Sequence, residues 1–302
     1  MRYQFIKDNQ CRYDIDEMCE ALGENRSGYY SWKDREPSDR SVEDTMLKES
    51  IAVLHHKAKG RYGHRPIYGH LQDEGMRCGR DRTLRLMKEM GMEGVQKKRF
   101  KPMTTDSNHL LGYSPNLLKA YGKPTNINQA WVADTTYLLT RKGWRYLATV
   151  MDLFSRRIIG WSISDKNDAS LVCKALRAAI ISRDALPRGI IAHSDRGSTY
   201  ASDDYRSLLE TYAMKSSMSA KGNCYDNAAM ESFYGRYKSS SVRNCVFCDE
   251  DELRANVFDY IEVFYNRFRK HSSLGYKNPV QFEKFFAPPM GGFKEAACFY
   301  NN

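Results

Sequence analysis

WVADTTYLLTRKGWRYLATVMDLFSRRIIGWSIS, residues 131–164, decides how this chain folds. Three runs rich in β-branched and aromatic residues, WVADTTYLLT, GWRYLATVMDLFS and RIIGWSIS, follow one another closely, and Gly143 punctuates the first join. That spacing predicts three antiparallel strands. DASLVCKALRAAIIS follows as an amphipathic helix with Asp168 at its start. GIIAHSD, ending at Asp195, reads as a short buried strand. A helix over 202–212 and a strand over 214–218 come next. The last helix opens in GNCYDNAAMESFYGRYKSS, residues 222–240. The predicted order is βββαβαβα, an α/β arrangement.

That order is the one of the ribonuclease-H-like, or retroviral-integrase-like, fold. It also places three carboxylates. Asp134 sits mid-strand, where Asp is disfavoured. Asp195 ends a central strand, the edge on which α/β proteins build sites. Glu231 stands among Ala228, Ala229, Met230 and Phe233, so the sequence predicts apolar surroundings for it. A carboxylate there needs a partner or a role. If the strands are neighbours, the three converge, and converging carboxylates repel unless cations neutralise them. Hard oxygen ligands of this kind select Mg²⁺ or Mn²⁺. Asp134, Asp195 and Glu231 are therefore the candidate metal ligands and catalytic residues.

The chain has 302 residues, with 47 Lys plus Arg against 37 Asp plus Glu, a formal charge of +10. The balance favours a polyanionic partner. No apolar run approaches the length of a membrane span, and the start, MRYQFIKDNQ, lacks a signal-peptide core, which predicts a cytoplasmic protein with no membrane partner. Eight scattered Cys fit reduced thiols. Cys245 and Cys248 form one C-x-x-C without a second pair, which favours a turn over a zinc site.

Charge divides the chain. Residues 51–125 hold 15 basic and 6 acidic side chains, net +9, whereas residues 1–50 hold 8 and 12, net −4. The expected divisions are an N-terminal helical module over 1–50, a basic helix-turn-helix-like DNA-binding module over 51–125, a catalytic core with its C-terminal helix over 126–285, and a tail over 286–302. In the first module a helix over 14–22 ends at Gly23, and a second runs from Asn25 or Ser27 to Trp32. In the second, a helix near 66–74, a turn through Gly75–Gly79 and a helix from Arg80 to Met90 repeat the pattern. Leu84, Met87 and Met90 form the expected buried stripe, leaving Arg80, Arg82 and Arg85 to reach bases or phosphates. Downstream, Lys97, Lys98 and Arg99 extend the basic footprint, and Arg65 precedes it. Lys238, two turns past Glu231, could hold a DNA phosphate beside the metals.

The spacing Asp134, Asp195, then 35 residues to Glu231, resembles the D-D-x35-E pattern of integrase-like DDE transposases. WVADTTYLLT, VMDLFSRRIIGW, HSDRGSTYAS, SMSAKGNCYDNAAMESFYGRYK and YNRFRKHSSLGYKNPVQFE resemble, in order, bacterial insertion-sequence transposases of the IS-three family. The resemblance spans nearly the whole chain, including RSGYYSW and RYGHRPIY. It implies the product of a second reading frame that carries the integrase-like core. It also implies Mg²⁺- or Mn²⁺-dependent cleavage and strand transfer with two ions per site. The implied partners are double-stranded DNA (terminal inverted repeats and target), further copies of the chain, at least a dimer on DNA, and an upstream-frame protein. A DNA-binding regulator without catalysis is the competing class. Among neighbouring residues, Asp226 reads as a helix cap, Asp152 as a partner of Arg156 or Arg157, His193 as structural, and His271 as either a DNA contact or a packing residue.

Overall fold

The computed structural model describes residues 2–95, 112–183, 186, 188–219, 227–243 and 245–286. Lys97, Lys98, Arg99 and Asp226 lie outside them. The chain divides into two compact units, residues 1–53 and 54–302. The division falls inside one helix. The second unit contains both the basic helical pair and the predicted core.

In the first unit, α1 (Arg2–Asn9), α2 (Ile15–Leu22) and α3 (Arg26–Lys33) enclose Ile6, Met18, Cys19 and Tyr29. Asp14 caps α2 by accepting from Asp16 N at 2.8 Å, and Gly23 ends it at φ 65, the left-handed position that favours glycine. Asn25 caps α3 through Ser27 N at 2.9 Å. This is the helix, glycine turn, helix read from the sequence. Helix α4 (Asp39–Lys57) follows.

In the second unit, α5 (His64–Asp73) and α6 (Arg80–Glu89) form the basic pair. The buried face of α6 is Thr83, Leu86 and Met87; Leu84 and Met90 are only partly buried, which corrects the predicted stripe. Thr83 can be buried because its hydroxyl donates to Gly79 O at 3.1 Å. The pair packs on the C-terminal part of the chain. The Tyr62 ring stacks on Phe268, its hydroxyl donates to Phe268 O at 2.9 Å, and Lys270 pairs with Asp73. A short helix, α7 (Leu117–Tyr121), leads to the core.

The core sheet has β1 (Ala130–Thr140), β2 (Gly143–Asp152), β3 (Ile158–Ser164), β4 (Ile191–Ser194) and β5 (Lys215–Met218) in the order β3-β2-β1-β4-β5. The β1–β2 and β2–β3 pairs are antiparallel, and β1–β4 and β4–β5 are parallel. With α8 (Ala169–Ile181), α9 (Asp203–Thr211) and α10 (Ala228–Tyr237), this is the predicted βββαβαβα chain and the ribonuclease-H-like arrangement. Asp168 caps α8, accepting from Leu171 N at 3.0 Å. Trp131, Ala133, Ala148, Val150, Ile159 and Ala192 face α8 and α9 in one buried cluster. After α10 come a π segment (Lys238–Val242), α11 (Glu250–Phe258), a second π segment (Asp259–Tyr265) and α12 (Pro279–Lys284).

Gly160 in β3 lets α8 lie this close. A Cβ there would overlap Ala175 O and the Ala179 backbone, its Cα at 2.8 Å. Gly160→Ala is expected to destabilise the protein by about 1–3 kcal/mol, because backbone cannot move aside as a side chain can. Urea denaturation of the variant with an unchanged midpoint would contradict this packing.

Candidate active site

Strand alternation brings the first two carboxylates together. In parallel register Val132 lies beside His193. Two residues further on, Asp134 is level with Asp195, which follows the end of β4. Ala133 and Ala192 point into the α8–α9 cluster, so Asp134 and Asp195 project from the opposite face. That face is where α10 packs. His193 is fully buried, and its Nδ1 lies 2.9 Å from Ser217 Oγ across β4–β5, a structural role.

Asp134 is half-buried and sits at the electrostatic centre. Burial, the charge of Asp195 and that of Glu231 push its carboxyl up to about 7; Thr135 N–H and the Asn227 side chain pull it back. Thr135 N donates to Asp134 Oδ1 at 2.8 Å, and Gly197 N donates to Asp195 Oδ1 at 3.0 Å. Glu231 lies in the first turn of α10 and is exposed, not enclosed by apolar side chains. The buried stripe is Met230, Phe233, Tyr234 and Tyr237, and Glu231 stands beside it.

Tyr234, three residues past Glu231, anchors α10 to the sheet at Asp134. Its hydroxyl donates to Asp134 O at 2.7 Å and lies 2.8 Å from Thr149 Oγ1. The Tyr200 hydroxyl, 3.0 Å from Thr135 Oγ1, is buried near both aspartates, which help burial keep it protonated. Lys238 is half-buried, with its Nζ 4.3 Å from the Tyr137 ring centroid, and Asp134 supports its charge against burial. Asn227, Tyr234 and Tyr200 were not singled out in the sequence. The usable signal was helical spacing, because Asn227, Glu231, Tyr234 and Lys238 recur at intervals of four, three and four along one side of α10.

Asp152 is no member of this group. It is fully buried, accepts from Phe154 N, Ser155 N and Asn128 N, and lies 3.6 Å from Arg183 Nη2. The expected pairing with Arg156 or Arg157 is thus corrected. The Asp152 carboxylate is spent on turn amides, while Arg157 is drawn to Glu283 at 2.7 Å.

Among the described residues no three His, Cys, Asp or Glu side chains close to a single ligation shell. The donor chemistry nevertheless fits a hard divalent cation. All three candidates are carboxylates, and Asp134 senses both of the others, so positive charge among them is favoured. Of the candidate DNA-binding residues, Arg65, Arg80 and Arg85 are exposed and Arg82 is half-buried. Arg85 pairs with Glu89 at 2.5 Å, and Arg80 Nε lies 3.4 Å from Asp81. No described helix is long and apolar enough to cross a membrane.

Comparison with known proteins places these features in context. The family described as Integrase core domain matches residues 124–224, a second of the same description matches 212–279, and the HTH-like domain matches 41–100. The insertion element IS600 uncharacterized 31 kDa protein of Shigella sonnei is 45% identical over 88% of this chain and 97% of its own length. Transposase InsF for insertion sequence IS3A of Escherichia coli (strain K12) is 38% identical over 94% and 98%. The HTLV-2 integrase catalytic core domain in complex with magnesium is 17% identical with a TM-score of 0.41, covering 53% of this chain and 98% of that one.

The raised Asp134 carboxyl has a consequence for stability. Its folded pKa lies above the ordinary 3.8, so its stabilising contribution is complete below about 3.8 and is lost as pH rises through about 7. In protein kept free of divalent metal with EDTA, Asp134→Asn is expected to remove this loss. The variant should gain on the order of 2 kcal/mol over wild type at pH 8, and little near pH 4. Thermal melts at the two pH values check the sign; a gain independent of pH would contradict the electrostatic cause.

Proposed function

Because the chain belongs to the IS3 family of insertion-sequence transposases and carries their integrase core, we propose that Asp134, Asp195 and Glu231 carry its DNA cleavage and strand transfer. The enzyme is a DDE polynucleotidyl transferase acting in DNA transposition and integration. The observation that carries the residue assignment is the parallel β1–β4 register, which sets Asp134 level with Asp195 on the face where Tyr234 anchors the helix that bears Glu231.

Asp134, Asp195 and Glu231 would hold Mg²⁺ or Mn²⁺, two ions per site. When bound, such ions supply Lewis-acid charge to the attacking and leaving oxygens of a phosphodiester. The remaining work falls to the chain. Asn227 and the Thr135 amide orient the Asp134 carboxylate, and the Tyr234 hydroxyl fixes the height of Glu231 against the strand that bears Asp134. Lys238 offsets phosphate charge beside the carboxylates. In the first reaction, water attacks phosphorus, the bond to the 3′ oxygen breaks, and a 3′-OH is freed. In the second, that 3′-OH attacks another phosphodiester in line, and the 3′ oxygen there departs. One phosphoester bond replaces another, so no covalent protein intermediate or energy source is needed.

Duplex DNA is the partner, bound at terminal repeats and at target. Arg65, Arg80, Arg82 and Arg85 are its contacts in the 51–125 segment, and Lys97, Lys98 and Arg99 add basic charge in the same segment of the sequence. Two ends must be held at once, so copies of the chain act as at least a dimer on DNA, with the upstream-frame protein as a further partner. The site of action is the bacterial cytoplasm, on the nucleoid.

Asp134→Asn, Asp195→Asn and Glu231→Gln should each lower Mg²⁺-dependent end cleavage by at least roughly 10²–10³-fold while DNA binding survives. Normal cleavage by Glu231→Gln together with failure of Asp226→Asn would transfer the third role to Asp226. Replacing Arg80, Arg82 or Arg85 by Ala should weaken end binding by about 1–3 kcal/mol where the side chain reads a base. Loss of a phosphate contact should instead lower the salt slope by about one. Unchanged affinity for all three would leave α6 as a solvated face.

A further inference from the structure

The far side of α10 borders a cleft of about 700 Å³ that runs between the α5–α6 pair and residues 265–276. Ala228, Ser232 and Arg236 line it at helical spacing, whereas Glu231, Tyr234 and Lys238 occupy the opposite side of the same helix. Seven Lys or Arg side chains line the cleft against one carboxylate, Glu93. Two of the seven have acidic partners, Arg61 in Asp259 and Lys270 in Asp73. Arg156, Arg236 and Arg269 have none among the described residues.

The three arginines line the cleft together with His271. Arg269 is only 8% exposed, and its Nε is buried without a hydrogen-bond partner, as is His271 Nε2. Burial, then Arg269, Arg236 and Arg156, drive the His271 pKa down to about 2, so its ring stays neutral and adds no fourth charge. Arg156 holds φ 62, a left-handed conformation that non-glycine residues rarely adopt. The Asp152 turn enforces it, with Asp152 O accepting from Arg156 N at 2.8 Å. Like charges gathered in a partly desolvated place are costly unless an anion joins them. The planar forks of arginine match phosphate oxygens in pairs.

We propose that Arg156, Arg236 and Arg269 form a phosphate site that seats a backbone phosphate of duplex DNA away from the scissile bond. This rests on the transposase reading and extends it to residues outside the basic helical pair. DNA is favoured over a free anion because the lining of the cleft extends beyond the three arginines to the exposed Arg65 on α5. A helix with its side chains is about 10–12 Å thick. The seated phosphate therefore lies on the order of one helix thickness from the carboxylates. Arg236 and Glu231 share α10, so a phosphate held here fixes the strand relative to the third carboxylate.

The test uses the full chain in EDTA, so its outcome is independent of cleavage, and a short fluorescent duplex of arbitrary sequence, since phosphate contacts are sequence-independent. Arg156→Gln and Arg236→Gln should each weaken binding about five- to tenfold and lower the log–log salt slope by about one. Their melting midpoints should stay level or rise, because a like charge is removed; a merely structural role would lower them. Unchanged affinity and slope overturn the proposal, and for Arg236→Gln, at an exposed helical position, that result alone suffices should Arg156→Gln misfold. If inorganic phosphate raises the melting midpoint of wild type but not of the variants while duplex affinity is unaltered, the site takes a free anion and the DNA assignment falls. Failure of Glu231→Gln to abolish cleavage would instead count against the catalytic assignment and leave this result intact.

Discussion

The parallel pairing of β1 with β4 is the constraint on which the site depends. Val132 beside His193 sets a register that brings Asp134 level with Asp195. A slip of one residue would turn Asp134 toward α8 and α9, into a dry apolar layer. That layer, with Trp131, Ala133, Ala192 and the α8 side chains, is what holds the register, because every alternate residue is committed to it. Burial of one face thus forces the two carboxylates to share the other. The cost appears at Asp134, whose proton is held to about 7 by burial and its acidic neighbours.

Helix α10 completes the site and separates two environments. On one side it carries Glu231, Tyr234 and Lys238 toward the sheet edge. On the other, Ala228, Ser232 and Arg236 border the basic cleft. The small side chains at 228, 229 and 232 leave that cleft open. The buried stripe between the two sides, Met230, Phe233 and Tyr237, anchors the helix; Phe233 and Tyr237 pack on Tyr260 of the second π segment.

The C-terminal segment is tied in by charge as well as aromatic packing. Glu283 on α12 accepts from Ser155 Oγ, Arg157 and Arg183, joining the β2–β3 turn, the end of α8 and α12. Against the pull of burial, Arg183 and Arg157 hold the Glu283 carboxyl below its ordinary range. Removing one partner of such a buried set leaves a charge uncompensated, so the group acts as a unit. Asp152, beside this group, serves the turn that orients Arg156.

The sequence by itself determined the element order, the carboxylate spacing and the family. Strand and helix periodicities, the caps Asp14, Asn25 and Asp168, and the glycines at 23, 75 and 143 are local signals, and each marks where an element starts, turns or ends. Only the tertiary structure decided what lies around each side chain. Glu231 looked enclosed because its neighbours in sequence are apolar, yet a helix sends adjacent residues about 100° apart and leaves it exposed. Thr83 proved buried in place of Leu84, because a hydrogen bond to Gly79 O satisfies its hydroxyl. Arg157 found Glu283, 126 residues away, and Tyr234 found Asp134, 100 residues away. Such pairings rest on distances between segments remote in the chain, which no local pattern encodes.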